Sequence, residues 1–96
     1  LGLLLTAANK KLITFNRLVS SLTTGPVSVL GVKWKELESL KENTVADITI
    51  INTNKKWIVD SNLFLSKGKN TPLDGMELEG KIAYTICNGE IIYEDK

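Results

Sequence analysis

The chain has 96 residues, among them twelve basic and eleven acidic residues, which give a net charge of +1 at pH 7. A chain of this length forms one domain at most and buries only about 60–65% of its unfolded surface. It contains no histidine and one cysteine, Cys87. This composition excludes histidine-based catalytic triads and an internal disulfide, and it is typical of a reducing cytosol.

Charge and apolar residues are unevenly distributed along the chain. Residues 1–35 carry five basic residues and no acid, whereas residues 36–96 carry seven lysines and eleven acids. The two parts are therefore expected to differ in origin. No apolar run approaches the roughly 18 residues of a membrane helix. The chain begins Leu1-Gly2-Leu3 without methionine, which predicts a fragment or a processed product.

The first third of the chain is predicted to be helical. Leucine and alanine residues favour a helix over Leu3–Ala8 that ends near Asn9. Thr14 is a plausible N-cap for a second helix. Its apolar face follows at the spacing i, i+3, i+4 and i+7: Phe15, Leu18, Val19 and Leu22. Pro26 suits the first position of a third helix, and Gly31 is expected to close that helix in a left-handed conformation.

The middle of the chain is predicted to change from helix to strand. Residues 36–43 are interpreted as a linker, and Asn43 as a turn residue that takes positive φ. The β-branched run Val45–Ile51 predicts a strand. A turn over residues 52–56 and a second short strand at Trp57–Val59 are expected to follow.

The end of the chain has the clearest pattern. Asp60–Asn62 is expected to cap a helical turn at Leu63–Leu65. Residues alternate along a predicted strand, Glu77–Cys87, which Asn88-Gly89 connects to a return strand at Glu90–Tyr93. The last three residues are expected to fray. Helices first and strands second predict an α+β fold, or the seam between two domains.

The loop "SKGKNTPLDG" contains a glycine-lysine pair, Gly68-Lys69, that suggests a phosphate-binding loop. Such a loop needs a glycine five residues earlier and a serine or threonine directly after. Leu63 and Asn70 occupy these positions, and Pro72 obstructs the helix that would hold the phosphate. The pattern therefore favours a surface loop with solvated lysines.

The other candidate sites have simpler structural explanations. Cys87 is interpreted as a small buried apolar residue. The carboxylates of Asp74, Glu77 and Glu79 are interpreted as a solvated face rather than an acid–base pair. Trp34 and Trp57 are interpreted as core or interface anchors. Nucleic-acid binding remains an alternative for the basic residues of the helical part, although a single aromatic interleaves them: Lys10, Lys11, Arg17, Lys33 and Lys35.

Three segments in order resemble the C-terminal end of the cyclic amidohydrolases, and the dihydroorotase family in particular. They are "RLVSSLTTGPVSVLGV" (Arg17–Val32), "VADITIINT" (Val45–Thr53) and "FLSKGKNTPLDGMELEGKIAYTICNGEIIYE" (Phe64–Glu94). Ser66-Lys67 followed by Lys69-Asn70-Thr71-Pro72 favours dihydroorotase over allantoinase and dihydropyrimidinase. The departures from the family pattern are Gly25, Asn43, Leu73 and Met76.

This resemblance implies a parent enzyme with a metal-centred TIM barrel and a small β-sandwich domain. The parent would interconvert N-carbamoyl-aspartate and dihydroorotate in pyrimidine biosynthesis, using zinc. Residues 1–35 would be the terminal helices of the barrel, and residues 36–96 the C-terminal part of the sandwich. The resemblance carries no catalytic, cofactor-binding or metal-binding residue onto this chain.

The expected partners are the remainder of the parent chain and a second copy of this chain, without nucleic acid or membrane. The expected location is cytoplasmic. Two alternatives stay open: the tail of an allantoinase or dihydropyrimidinase, and a stand-alone non-catalytic assembly domain.

Overall fold

A computed structural model describes residues 1–96 of the chain. The helical part contains α1 (Gly2–Asn9), α2 (Phe15–Leu22), α3 (Thr24–Leu30) and a 3₁₀ helix at Val32–Glu38. The sheet part contains β1 (Ile48–Ile58), a 3₁₀ turn at Ser61–Leu63, β2 (Glu77–Cys87) and β3 (Glu90–Glu94). The three strands form one antiparallel sheet in the order β1-β2-β3. The predicted α+β class is confirmed. None of the helices combines the length and apolar character needed to cross a membrane.

The helical predictions hold with small corrections. The Thr14 side chain accepts a hydrogen bond from the Arg17 N–H at 3.2 Å, so Thr14 is the N-cap of α2 as predicted. Pro26 is the third residue of α3 rather than the first, which a helix tolerates because its first-turn N–H groups have no partner in the helix. Gly31 has φ +99° and ψ 174°, so it ends α3 with the positive φ expected of a closing glycine, although its ψ lies outside the left-handed helical range.

The segment around residue 40 is partly helical and partly a turn. The predicted linker begins inside the 3₁₀ helix, which runs to Glu38. Asn43 has φ +62°, as predicted for a turn residue. The helical turn expected at Leu63–Leu65 lies two residues earlier, at Ser61–Leu63, because the Asp60 carboxylate accepts from the Asn62 N–H at 2.9 Å.

The prediction of two short strands separated by a turn at residues 52–56 is wrong. β1 is continuous from Ile48 to Ile58, and it carries a bulge where the turn was expected. Asn52 lies opposite Lys81 and Lys56 lies opposite Glu79, so three residues of β1 face the single residue Gly80. Tertiary pairing on both sides of the bulge keeps the polar segment extended, although its composition is typical of a turn.

The β2–β3 hairpin forms as predicted, and its turn contacts the segment that precedes β1. Asn88 and Gly89 have φ values of +51° and +81°. The Asn88 N–H donates to the Asp47 carboxylate at 2.7 Å, and the Gly89 N–H donates to the Ala46 carbonyl at 3.0 Å. The Ala46-Asp47 pair of the family-like segment therefore holds the hairpin turn.

The acidic tail is ordered, so the prediction that it frays is wrong for Asp95. Its carboxylate accepts from the Lys55 and Lys81 ammonium groups, each at 2.6 Å, and its side chain is only 7% exposed. Its N–H donates to the Ala83 carbonyl at 2.9 Å. These bonds tie the end of β3 to both other strands. Hydrogen bonds from Lys55 and then Lys81 hold the pKa of the Asp95 carboxyl below its usual range.

We expect Asp95 to make stability depend on acid pH. Because its pKa is lowered in the folded chain, its contribution is present above the unfolded carboxyl pKa of about 3.9 and is lost as pH falls below that value. In Asp95→Asn, the free energy of unfolding from urea denaturation should fall less steeply below about pH 4 than in the original chain. Glu90→Gln is the matched control, since Glu90 forms no ion pair. Equal acid dependence in Asp95→Asn and the original chain would contradict this role.

Candidate functional site: the joint between α1 and the sheet

One face of α1 packs on the sheet at the β1 bulge. Four α1 residues at the spacing i, i+3, i+4 and i+7 contact it: Gly2, Leu5, Thr6 and Asn9. Leu5 is 1% exposed and belongs to the small core, whose other buried apolar residues are Leu18, Val27, Val59 and Leu78. This face, together with its sheet contacts, is called the joint below.

Thr6 replaces a missing strand partner for β2. Its hydroxyl accepts from the Glu79 N–H at 2.8 Å and lies 2.9 Å from the Gly2 carbonyl and 3.2 Å from the Glu79 carbonyl, to which it can donate. Both backbone groups of one residue in an antiparallel strand point to the same side. The N–H and carbonyl of Glu79 therefore point away from β1. Because β3 does not extend as far as Glu79, these two groups bond to Thr6 of α1 instead.

Close approach of the helix requires glycine on both elements. Gly80 has φ +103°, and a Cβ at that position would lie 2.5 Å from the Leu5 Cβ. A Cβ at Gly2 would lie 2.9 Å from the Trp57 ring. The Trp57 indole N–H donates to the Gly80 carbonyl at 3.0 Å, so the bulged backbone stays satisfied.

The bulge also presents polar groups to α1 and to the tail. The Asn9 side-chain amide donates to the Thr53 carbonyl at 3.0 Å, inside the bulge. Lys55, also in the bulge, pairs with Asp95, and the Lys81 ammonium lies 5.6 Å from the centre of the Trp57 ring. The joint and the Asp95 ion pairs thus share one region of the sheet.

An open apolar groove of about 560 Å³ adjoins the joint. Its walls include the start of α1, β1 and β2, and they carry three aromatic side chains: Trp57, Phe64 and Tyr93. The only side chains in its lining that carry a charge at neutral pH are Asp60 and Lys81. The Asp60 carboxylate accepts hydrogen bonds from Asn62, and the Lys81 ammonium forms an ion pair with Asp95. The groove is therefore suited to apolar contact.

The structure does not gather the sequence candidates into one site. Asp74 accepts from the Ser61 N–H at 2.7 Å, and Glu77 lies 4.0 Å from the Lys56 ammonium. Glu79 takes part in the joint through its backbone. No three Cys, Asp or Glu side chains lie close enough together to hold a metal ion, and the chain has no histidine. The residues of this chain therefore do not fit a zinc site.

One expectation about side-chain environment is wrong. Cys87 is exposed rather than buried, because it ends β2 beside the hairpin turn. Lys69 is exposed, as expected for a loop lysine, and its ammonium also donates to the Asn62 carbonyl at 3.4 Å and to the Phe64 carbonyl. It thereby ties its loop to the 3₁₀ turn. Lys67 is exposed, as expected.

The structure does not pair the basic residues of the helical part with acidic side chains. None of them takes part in a salt bridge, and the only cation–π contact among them joins the Lys33 ammonium to the Trp34 ring at 5.1 Å. Trp34 is 42% exposed, so it is not a core anchor. Trp57 is half-buried and anchors the joint.

Sequence reasoning missed the joint, although two signals for it are present. The spacing of Gly2, Leu5, Thr6 and Asn9 marks one helix face. An isolated glycine inside a strand pattern, here Gly80, is typical of a bulge or of a close backbone approach. Neither signal says that the two features meet, because 73 residues separate Thr6 from Glu79.

Gly80→Ala should destabilise the chain more than Gly75→Ala. Both glycines have positive φ, but a Cβ at Gly75 meets nothing within 4 Å, whereas a Cβ at Gly80 overlaps Leu5. Both variants lose about 1–2 kcal/mol for the left-handed backbone. Gly80→Ala should lose about 1–3 kcal/mol more from overpacking. Equal free energies of unfolding in urea would show that the joint tolerates the extra methyl group.

Thr6→Val should destabilise the chain by about 1–3 kcal/mol, because it leaves the Glu79 N–H without a partner at nearly constant side-chain shape. Thr6→Ser keeps the hydroxyl and should lose less. Hydrogen exchange at the Glu79 amide should accelerate in Thr6→Val and stay slow in Thr6→Ser. Unchanged exchange in Thr6→Val would refute the assigned hydrogen bond.

Comparison with known proteins gives a consistent result. No family model matches the chain. It is 42% identical over 86 residues to a dihydroorotase of Aquifex aeolicus (strain VF5), covering 90% of this chain and 20% of that protein. It is 36% identical over 95 residues to a dihydroorotase of Syntrophus aciditrophicus (strain SB), covering 99% and 22%. A dihydroorotase of Acetivibrio thermocellus is 37% identical over 84 residues, covering 88% and 19%.

The chain therefore spans about a fifth of the length of the curated relatives it matches. The matches cover both the helical part and the sheet part, since they include at least 84 of the 96 residues in each of the three relatives. On these similarities, the chain belongs to the dihydroorotase family, in which it corresponds to a C-terminal portion.

Proposed function

We propose that the chain is the C-terminal, non-catalytic part of a dihydroorotase that interconverts N-carbamoyl-aspartate and dihydroorotate in pyrimidine biosynthesis. The observation that carries this proposal is the 42% identity to the Aquifex aeolicus dihydroorotase over 90% of the chain. The family's zinc and catalytic groups are assigned to the rest of the longer protein, since the residues of this chain do not form a zinc ligand set. The proposed location is cytoplasmic.

The proposed role of this part is structural support for the rest of the enzyme. The accessible surface of the chain is 7613 Å², whereas a compact protein of this mass exposes about 5,500 Å². Its radius of gyration is 15.0 Å, whereas a compact domain of this length has a radius of about 12.5 Å. The excess surface is larger than the roughly 800 Å² that one partner buries in a standard interface.

Large apolar side chains contribute to this exposed surface. Only six residues are buried, whereas many large apolar side chains are exposed along the helical part, including Leu12, Val29 and Val32 at about 80% or more. Such an apolar surface marks a contact with another protein surface. We infer that residues 1–35 cover the barrel of the parent and that residues 36–96 complete its β-sandwich.

α1 takes part in both of these proposed contacts. Leu5 and Thr6 bind the sheet through the joint, whereas Leu3 and Leu4 are 46% and 43% exposed. In the proposed parent, Leu3 and Leu4 would contact the barrel while the opposite face of α1 holds the sheet. The contacts with the barrel and the contacts with the sheet would then be connected through α1, although the proposed boundary between the two parts of the chain lies at residue 35.

The longer protein that contains this chain should open the ring of dihydroorotate, and the isolated 96-residue chain should not. Activity is measured by the appearance of N-carbamoyl-aspartate, with allantoin and a dihydropyrimidine as competing substrates. The isolated chain should also self-associate in light scattering, because its apolar surface is uncovered.

Turnover of allantoin or a dihydropyrimidine in preference to dihydroorotate would overturn the assignment within the superfamily. Turnover by the isolated chain would contradict its non-catalytic role. A monomer with cooperative melting in calorimetry would show that the surface needs no partner, and would favour a stand-alone domain.

A further inference from the structure

The hairpin turn Asn88-Gly89 is open to a spontaneous change of its covalent structure. The side-chain amide of an asparagine reacts with the backbone nitrogen of the next residue, and a following glycine favours this reaction because it has no side chain beside the attacking nitrogen. Asn88 is the only one of the eight asparagines that precedes a glycine. Both residues of the turn are exposed, and a Cβ at Gly89 would meet nothing within 4 Å. Solvent therefore reaches the reacting groups.

The turn and the solvent supply every group that the reaction needs. A base in the solvent takes the Gly89 amide proton, the nitrogen forms a bond to the Asn88 Cγ, and the bond from Cγ to the side-chain nitrogen breaks with release of ammonia. The product is a cyclic succinimide. Water opens this ring at Cγ to give aspartate, or at the main-chain carbonyl carbon to give isoaspartate, whose main chain is longer by a methylene group. No oxidant or reductant takes part.

In the folded chain, the segment that precedes β1 holds the attacking group. The Gly89 N–H donates to the Ala46 carbonyl at 3.0 Å, and the Asn88 N–H donates to the Asp47 carboxylate at 2.7 Å. The Gly89 proton therefore already has an acceptor within the chain. The negative charge of Asp47 beside the turn also disfavours a second negative charge on the Gly89 nitrogen. Both effects slow the attack on Asn88.

We propose that Asn88 is a deamidation site whose rate is controlled by the contact of the hairpin turn with Ala46 and Asp47. The closed contact retards the reaction, and opening of the contact permits it. The product then weakens the same contact, because a carboxylate at position 88 repels that of Asp47, and isoaspartate lengthens a turn of two residues. This inference goes beyond the proposed function and does not rest on it, since the reaction needs no catalytic group.

The test incubates the 96-residue chain at constant pH and temperature. Mass spectrometry follows deamidation in the peptide that contains Asn88, and chromatography separates the aspartate and isoaspartate products. The same chain in concentrated urea gives the rate of the open turn. The folded chain should react at least about ten-fold more slowly than the chain in urea, because a hydrogen bond to a charged group has to break before the attack.

A variant without the Asp47 carboxylate tests the contact itself. Asp47→Ala should accelerate deamidation several-fold in the absence of urea. Asp74→Ala is the matched control, because Asp74 also accepts a backbone N–H, from Ser61, at 2.7 Å, but at the other end of β2. This control changes the net charge by the same amount and should keep the original rate.

Hydrogen exchange separates local opening of the turn from unfolding of the chain. In Asp47→Ala, exchange at the Gly89 amide should accelerate, whereas exchange at the buried Val59 amide, which donates to the Met76 carbonyl, should stay slow. Should Asp47→Ala unfold, Asp47→Asn takes its place, since it removes the charge and keeps an oxygen acceptor.

Three results would overturn the proposal. Equal rates with and without urea would show that the folded turn does not retard the reaction. Equal rates in the Asp47 variant and in Asp74→Ala would show that the contact does not control it. No deamidation in urea would show that Asn88 is not a reactive site. None of these measurements involves turnover of dihydroorotate, so they are distinct from a failure of the proposed function.

Discussion

The rest of the structure depends on the break in the β1–β2 ladder at Gly80. At this point three residues of β1 face one residue of β2, and unpaired backbone groups in a partly buried region are costly. α1 and Trp57 supply the missing partners, through the Thr6 hydroxyl and the indole N–H. Only glycine at position 80 permits both the positive φ and the approach of Leu5. The bulge therefore creates the docking position of the first helix.

The joint also explains how so small a core holds two kinds of secondary structure together. Leu5 on α1 and Leu78 on β2 are almost completely buried, and they flank Thr6 and Glu79, which are joined by hydrogen bonds. Much of the remaining apolar surface of the helices is exposed. This combination differs from that of an independent compact domain, and it agrees with membership of a family in which the relatives described above are about five times as long as this chain. The chain is well connected internally, but much of its apolar surface has no partner within it.

Local patterns predicted the elements whose stability is local. The Thr14 cap, the α2 face, the positive φ of Asn43 and the Asn88-Gly89 hairpin follow from a few neighbouring residues. The segment at residues 52–56 was misinterpreted because its polar composition is typical of a turn, while the bulge depends on Gly80 and α1, which are distant in sequence. The tail was misinterpreted for the same reason, since Asp95 is ordered by Lys55 and Lys81.

The sequence by itself determined the α+β order, the absence of histidine chemistry and the resemblance to dihydroorotases, because composition and short motifs are properties of the chain. Only the tertiary structure decided that α1 binds the sheet, that Asp95 connects three strands and that Cys87 is exposed. Each of these depends on contacts between residues far apart in sequence or on how the finished sheet meets solvent. The loop "SKGKNTPLDG" shows both sides: its motif indicated the family, whereas the use of Lys69 to bind two backbone carbonyls became visible only in the folded chain.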